Sequence, residues 1–362
     1  FKSAPKQPDV SKSSPVRRRS PTPPPAPQVL DVDVAKGLLK TIQKAQAKDA
    51  TEKFAILDAR DKLLKLLRGR QQSDLATAKA FVGICPDMCP EKERYDREDT
   101  RRLSVYEVVP GTLTSLTGLK SKVDHVRAVK EYSRSSADQE EPLPHELRPL
   151  PVLVTTMNYL LSQVADQGED GKWSEWYDFL WNRTRGIRKD ITQQQLCDSQ
   201  VADLLEKCAR FHIFCSERLC EEDAMTFDAK INNENLTKCL QTLKELYADL
   251  EKRGIYCQNE AEFRGYMVLM NLNEGDILRE IQELRQELRD SFHISFAVQV
   301  YNALSTNNYV RFFRLIEEKA TFLSACILHR YFNQIRSKAL LIIMKAHGAL
   351  GKNTVQYPVE EM

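Results

Sequence analysis

The sequence predicts an all-α fold, a helical-repeat superhelix, on three observations. Apolar residues recur at helical spacing over most of the chain, strand-type alternation is scarce, and glycine is low at 13 in 362 residues. From Pro151 onward, helices of roughly 12–20 residues alternate with short loops, the rhythm of paired helices in an α-solenoid. The tetratricopeptide consensus is absent, so any repeats are degenerate.

Residues 1–28, with Arg17-Arg18-Arg19 and Pro23-Pro24-Pro25, form a basic Pro/Ser-rich linker that cannot bury enough apolar surface to offset its ordering entropy. The arginine triplet reads either as a nuclear-import signal or as part of a solvated tail. Residues 29–82 hold N-terminal helices, one from Val29 to Lys48 and one from Glu52 to Arg68, the second closed near Gly69. Residues 83–122 carry the run Gly83-Ile-Cys-Pro-Asp-Met-Cys-Pro-Glu-Lys-Glu-Arg94 and its connection. Pro86 and Pro90 predict a pinned loop rather than a helix there.

Residues 123–308 form the helical body. Residues 110–122 and 133–149 are polar connections. Trp173, Trp176, Tyr177, Leu180, Thr184, Ile187 and Ile191 share one helical face and predict a core-facing helix. Thr192 with Gln195 reads as a capping box opening the next helix. Leu236, Cys239, Leu240, Leu243, Leu246, Tyr247 and Leu250 form a second stripe, stopped by Gly254. Asn259 with Glu262 reads as another capping box, and Asp276 as the cap of a helix carrying Ile277, Ile281, Leu284 and Leu288. Residues 309–362 hold C-terminal helices over Tyr309–Arg314, Phe322–Ile335 and Ser337–Ala346. Asn353 to Glu361 then predicts a short extended segment and a helix start at Pro358, the opening of a truncated winged helix.

The net charge of +2 is too small for the whole chain to bind nucleic acid by bulk electrostatics, but its distribution is uneven. Residues 1–30 carry six Lys/Arg against Asp9, and residues 330–362 carry five against two glutamates. Nine cysteines without a CxxC pair fit reduced thiols of the nucleus or cytosol rather than a disulfide framework. No apolar run approaches the ~18 residues of a membrane span. A chain opening on Phe1 reads as an excised fragment, so missing targeting signals carry little weight.

Three groups of side chains compete for a role. Arg183, Arg185, Arg188 and Lys189 follow the tryptophans directly. Guanidinium forks suit phosphate oxygens, and the aromatics could stack bases. Alternatively the arginines tie helices together through carboxylates such as Asp178 and Asp190, the reading that buried tryptophans favour. Arg330, Arg336, Lys338 and Lys345 form a second cationic set, open to phosphate contact or to solvent. The third group is Cys85, Pro86, Asp87, Met88, Cys89, Pro90, Glu91, Lys92, Glu93 and Arg94. Its thiols raise a zinc reading, but the spacing is Cys-x3-Cys with no second Cys/His pair nearby, so no metal is expected. A Pro-pinned loop that docks on the body or on a partner remains. Cys208, Cys215, Cys220 and Cys239 predict core packing, and His212 a satisfied packing residue. No Walker loop, GxSxG elbow or HExxH motif occurs, so neither an enzyme nor a cofactor is expected.

Several segments together resemble the GANP (germinal-centre-associated nuclear protein) family. They are the Cys85–Arg94 run, Glu146-Leu-Arg-Pro149 with Tyr159-Leu160, and Trp181-Asn-Arg-Thr-Arg-Gly-Ile-Arg-Lys-Asp190. Arg210-Phe-His-Ile213, Asn259-Glu-Ala-Glu-Phe-Arg264 and Asn308-Tyr-Val-Arg-Phe-Phe313 complete the set. The resemblance implies a PCI/TPR-like helical body leading into a PCI-type winged helix. It implies the scaffold of a nuclear mRNA-export complex, located on the nuclear-pore side of the nucleoplasm. Its implied partners are a PCI-domain protein, a small acidic Sem/DSS-type protein, a DEAD-box export ATPase and RNA; no membrane is implied. Apart from the resemblance, Asp87, Glu91, Lys92, Glu93 and Arg94 give the 83–94 loop a polar face that such an ATPase could read. The rival is a purely structural PCI scaffold of proteasome-lid or initiation-factor type, without nucleic-acid binding.

Overall fold

A computed structural model of the chain describes residues 32–43, 47–68, 82–113, 121–134, 141–170, 173–274 and 276–347. Among these residues it is all-α, with fourteen α-helices, no strand, and one isolated bridge between Val108 and Val123. The helices are α1 (Val32–Ile42), α2 (Ala50–Arg68), α3 (Glu91–Asp99), α4 (Leu150–Tyr159), α5 (Trp173–Gln193), α6 (Ser199–Arg218) and α7 (Ala229–Glu251). After them come α8 (Glu260–Met270), α9 (Ile277–Gln282), α10 (Gln286–Arg289), α11 (Phe292–Ser305), α12 (Tyr309–Lys319), α13 (Phe322–His329) and α14 (Phe332–His347). No helix among the described residues is long and apolar enough to cross a membrane. The basic linker at 1–28 and the winged-helix opening at 353–361 lie outside the described residues.

One continuous apolar core runs from Val129 to Ile335. Trp176, Tyr177, Leu180, Thr184, Ile187 and Ile191 face it, as their spacing predicts, and Trp173 packs at its edge. The α7 stripe from Leu236 to Leu250 is buried throughout. Gly254, at φ +75°, then turns the chain into a conformation that costs other residues about 1–2 kcal/mol. Helices pack on their sequence neighbours, α6 on α7 and α11 on α12, as in a solenoid. The stack is nevertheless not one-dimensional. Helix α13 returns onto both α6 and α8, and α11 onto α8, so distant parts of the chain lock one another.

Local signals fail where tertiary contacts outbid them. Helix α5 runs through Thr192, whose hydroxyl donates back to the Arg188 carbonyl. Gln195, at φ +51°, ends the helix, with the Leu196 and Gln195 amides donating to the Ile191 and Thr192 carbonyls in a Schellman closure. The α6 cap is Asp198, which accepts from the Gln200 amide. Asn259 likewise caps nothing with its side chain, which donates to Glu206 at 2.7 Å, while Glu262 accepts from Arg210. Asp276 makes no side-chain cap, and the expected single helix after it is the short pair α9 and α10. The predicted helix Phe322–Ile335 breaks at Arg330–Tyr331 into α13 and the start of α14. The helix α3 begins directly at Glu91, inside the stretch expected to be loop. Pro90 sits at its N-cap, where a missing N–H costs no intrahelical bond, and Glu91 and Glu93 favour the first turn.

Cys208, Cys215 and Cys239 are core residues, but Cys220 lies past the end of α6 and is exposed. His212 is buried and its Nδ1 donates to Asn232 Oδ1 at 2.8 Å. Burial, aided by the Arg188 charge, pushes its pKa down to about 3, so the ring is neutral.

Candidate partner and nucleic-acid surfaces

The Cys85–Arg94 run, the Glu146–Pro149 run and the Trp181–Asp190 run are far apart in sequence and meet in space. Residues 82–90 are non-helical, bend at 87–89, and are stitched to the body through residues 83–85. The Ile84 amide donates to the Pro144 carbonyl, the Cys85 amide to the Leu147 carbonyl, and the Gly83 amide to Gln194 Oε1 at 2.8 Å. The Gln194 amide group in turn donates to the Arg148 carbonyl. A Cβ at position 83 would lie 2.5 Å from the Leu147 carbonyl oxygen, so this approach requires glycine.

Two buried ionic clusters lie beneath. In the first, Glu107 Oε2 accepts from Arg97 Nη1 at 2.6 Å and Arg183 Nη2 at 2.8 Å, while Oε1 accepts from the Val129 amide at 2.8 Å. Burial alone raises the Glu107 carboxyl, but the Arg183 and Arg97 charges more than reverse this and hold it below the usual carboxylate range. Arg97 also donates to the Val129 carbonyl and to Cys89 Sγ. In the second cluster, Asp190 accepts from Arg148 Nε at 2.7 Å and Lys130 Nζ at 2.6 Å. Arg148 reaches on to the Met88 carbonyl, so this cluster also grips the loop. Gly186 lets the backbone of residues 130–132 pass α5; a Cβ there would sit 3.1 Å from the Lys130 carbonyl oxygen.

These contacts distribute the sequence-predicted residues unevenly. Arg183 is buried on Glu107, not on Asp178 or Asp190. Arg188 is half-buried and donates to Asn235 and to Cys239 Sγ, tying α5 to α7. Arg185 stacks over Tyr132 at 4.0 Å and over Trp181 at 5.2 Å. Lys189 donates to Ser133, and burial together with the nearby Lys130 charge pushes its pKa down. The helix-tying alternative therefore describes Arg183 and Arg188, with partners the sequence did not indicate. The C-terminal set differs. Arg330, Arg336, Lys338 and Lys345 are all exposed. Arg330 donates to Asn233, and Arg336 lies 5.3 Å over Phe332.

In the loop, Cys85, Cys89, Pro90 and Arg94 are buried, Met88 is half-buried, and Pro86 and Asp87 are exposed. Burial pushes both thiols up, which keeps them protonated. Arg94 pairs with Asp87 at 2.8 Å, Lys92 with Asp58 at 2.8 Å, Glu91 with Lys53 at 3.4 Å, and Glu93 accepts from the Glu131 amide. Lys92 and Glu91 thus fasten α2 to the body, aided by His145 on buried Asp61. Sequence reasoning missed Arg97, Glu107, Arg148 and Lys130 as keystones. Arg148 and Asp190 stood inside quoted motifs, whereas nothing around Glu107 marks it locally.

The SAC3/GANP family profile matches residues 88–362, which include both ionic clusters. The chain belongs to the SAC3/GANP family. It is 47% identical over 322 residues to Protein xmas of Drosophila melanogaster, covering 88% of this chain and 15% of the fly protein. It is 37% identical over 291 residues to SAC3 family protein 1 of Schizosaccharomyces pombe, covering 75% of this chain and 27% of the yeast protein. With SAC3 family protein B of Arabidopsis thaliana the identity is 36% over 273 residues, 72% of this chain and 15% of the plant protein. The SAC3/GANP portion seen here thus spans well under a third of each of these relatives.

Proposed function

We propose that this chain is a non-enzymatic scaffold of a nuclear mRNA-export complex, acting at the nuclear-pore side of the nucleoplasm. The family match over an all-helical body carries this reading. The body at 123–308 supplies rigidity, and residues 309–362 lead into a PCI-type winged helix. A rigid body that holds RNA, a PCI-domain protein, a small acidic Sem/DSS-type protein and a DEAD-box ATPase together raises their effective concentrations. The buried ionic clusters support the rigid part of this reading, because Arg97 and Arg148, held by Glu107 and Asp190, also donate to Cys89 Sγ and the Met88 carbonyl of the loop.

Helix α14 favours a joint protein and RNA surface. It exposes Leu340, Leu341, Ile342 and Met344 beside Arg336, Lys338 and Lys345. Apolar side chains at 41–69% exposure on consecutive turns suit a protein partner, and cations among them suit phosphate. The outward side of the 83–94 loop, Ile84, Pro86 and Asp87, is the part left for the ATPase. The protein-only PCI scaffold is the second reading, favoured by the internal contacts of Arg183 and Arg188.

Sedimentation of the chain with a PCI-domain subunit tests the partner surface. The wild type forms a one-to-one complex, and Leu341→Asp with Met344→Asp weakens it at least about 30-fold, as loss of two buried apolar anchors demands. Unchanged affinity in a folded double variant would remove α14 from the interface.

A further inference from the structure

Outside these surfaces, three unlike donor side chains converge where α13 returns onto α6. Glu217 stands in the last turn of α6, Cys220 follows in the turn after it, and His329 ends α13. Their ligand atoms lie within 4.8 Å of one another, and His329 Nδ1 is 2.6 Å from Glu217 Oε2. All three reach solvent, so an ion can enter. The platform below is rigid: Cys215, Leu219, Cys326, Ile327 and Leu328 are buried, and the His329 ring packs edge-on to Phe332 at 5.1 Å.

We propose that Glu217, Cys220 and His329 form a zinc site that clamps the C-terminal end of α6 to that of α13. A tetrahedral ion with bonds of roughly 2.0–2.3 Å holds its donors about 3.3–3.8 Å apart. His329 and Glu217 stand closer than that spacing and all three donors lie within 4.8 Å, so side-chain rotations can open the set to it. Thiolate, imidazole and carboxylate together select zinc over magnesium or calcium, whose hard ions prefer all-oxygen sites. The fourth position falls to water. Binding releases the thiol proton, so affinity falls with acidification. The clamp closes the contact that makes this stack more than a one-dimensional solenoid.

Zn²⁺ and Co²⁺ added to the metal-free full chain test the site. Co²⁺ gives thiolate-to-metal charge-transfer absorption at one equivalent, displaced by Zn²⁺. Zn²⁺ at about 100-fold excess over its Kd raises the unfolding temperature by roughly 3–4 °C, whereas Mg²⁺ does not. Cys220→Ser abolishes the cobalt band, and His329→Gln weakens Zn²⁺ binding by at least about tenfold; both residues are exposed, so both variants fold. A cobalt band that survives in Cys220→Ser assigns the metal to another of the thiols and overturns the proposal. So does the absence of both the band and the thermal shift in the wild type.

Discussion

Glu107→Gln lowers folding stability by about 3–5 kcal/mol, although it removes one charge and almost no volume. The reason is what remains. Arg97 is fully buried and Arg183 is 4% exposed, and a single carboxylate oxygen takes a bond from each. Glutamine keeps one carbonyl acceptor but turns an NH₂ group toward either a guanidinium or the Val129 amide, so donor faces donor. Two cations then have only Glu93, 3.4 Å from Arg97, and Glu131, 4.0 Å from Arg183, as carboxylate partners. Urea denaturation monitored by circular dichroism measures the loss as a lower midpoint at unchanged slope. A shift below about 1 kcal/mol would mean that water already solvates the cluster.

Acidification destabilises the chain through two groups, of which only His212 acts above about pH 4.5. His212 holds its ring neutral down to about pH 3 in the fold, whereas an unfolded histidine takes up a proton near pH 6.5. Between these values the unfolded state binds more protons, so stability falls as pH drops, by up to about 1.4 kcal/mol per unit. Glu107 acts lower. Its carboxyl is depressed in the fold, so its contribution is complete above the unfolded value near 4.5 and is lost as pH falls through the folded one. His212→Gln therefore flattens the decline between about pH 6.5 and 4.5, where Glu107 adds nothing, and below that leaves the part due to Glu107. A wild-type stability that is level across the upper window would show that His212 accepts its proton within the fold.

Much of the architecture was legible because helix periodicity is a local property. The α5 face from Trp176 to Ile191 and the α7 stripe needed only spacing to be placed in the core. Helix ends were less legible. Thr192, Asn259 and Asp276 carry the side-chain chemistry of caps, and each was read as one. In the fold Asn259 meets Glu206 and Glu262 meets Arg210, bonds to residues more than 50 positions away that no local pattern encodes. The site residues divide the same way. The sequence identified the dense Arg183–Lys189 set but not its acceptor, because Glu107 is 76 residues from Arg183 and sits in a short 3-10 turn. Pro86 and Pro90 predict a pinned loop over 83–94, and residues 83–90 form one, but Glu91–Arg94 open α3, and the loop's dependence on Gln194 and Arg148 comes only from the packing. Cys220 was read with the core cysteines because its spacing matched theirs. The end of α6 at Arg218 carries it out to solvent instead.

Fluorescence anisotropy with a single-stranded RNA over a salt series, for this chain alone and bound to its PCI-domain partner, most directly tests the scaffold role. We expect binding at micromolar concentration or tighter, strengthened by the partner and weakened steeply by salt. Reversing Arg336, Lys338 and Lys345 to glutamate should flatten the slope of log K against log salt by roughly 2, about 0.7 for each lost phosphate contact. RNA affinity absent from both samples, or present with the same slope in the reversed variant, would contradict it and leave a protein-only scaffold.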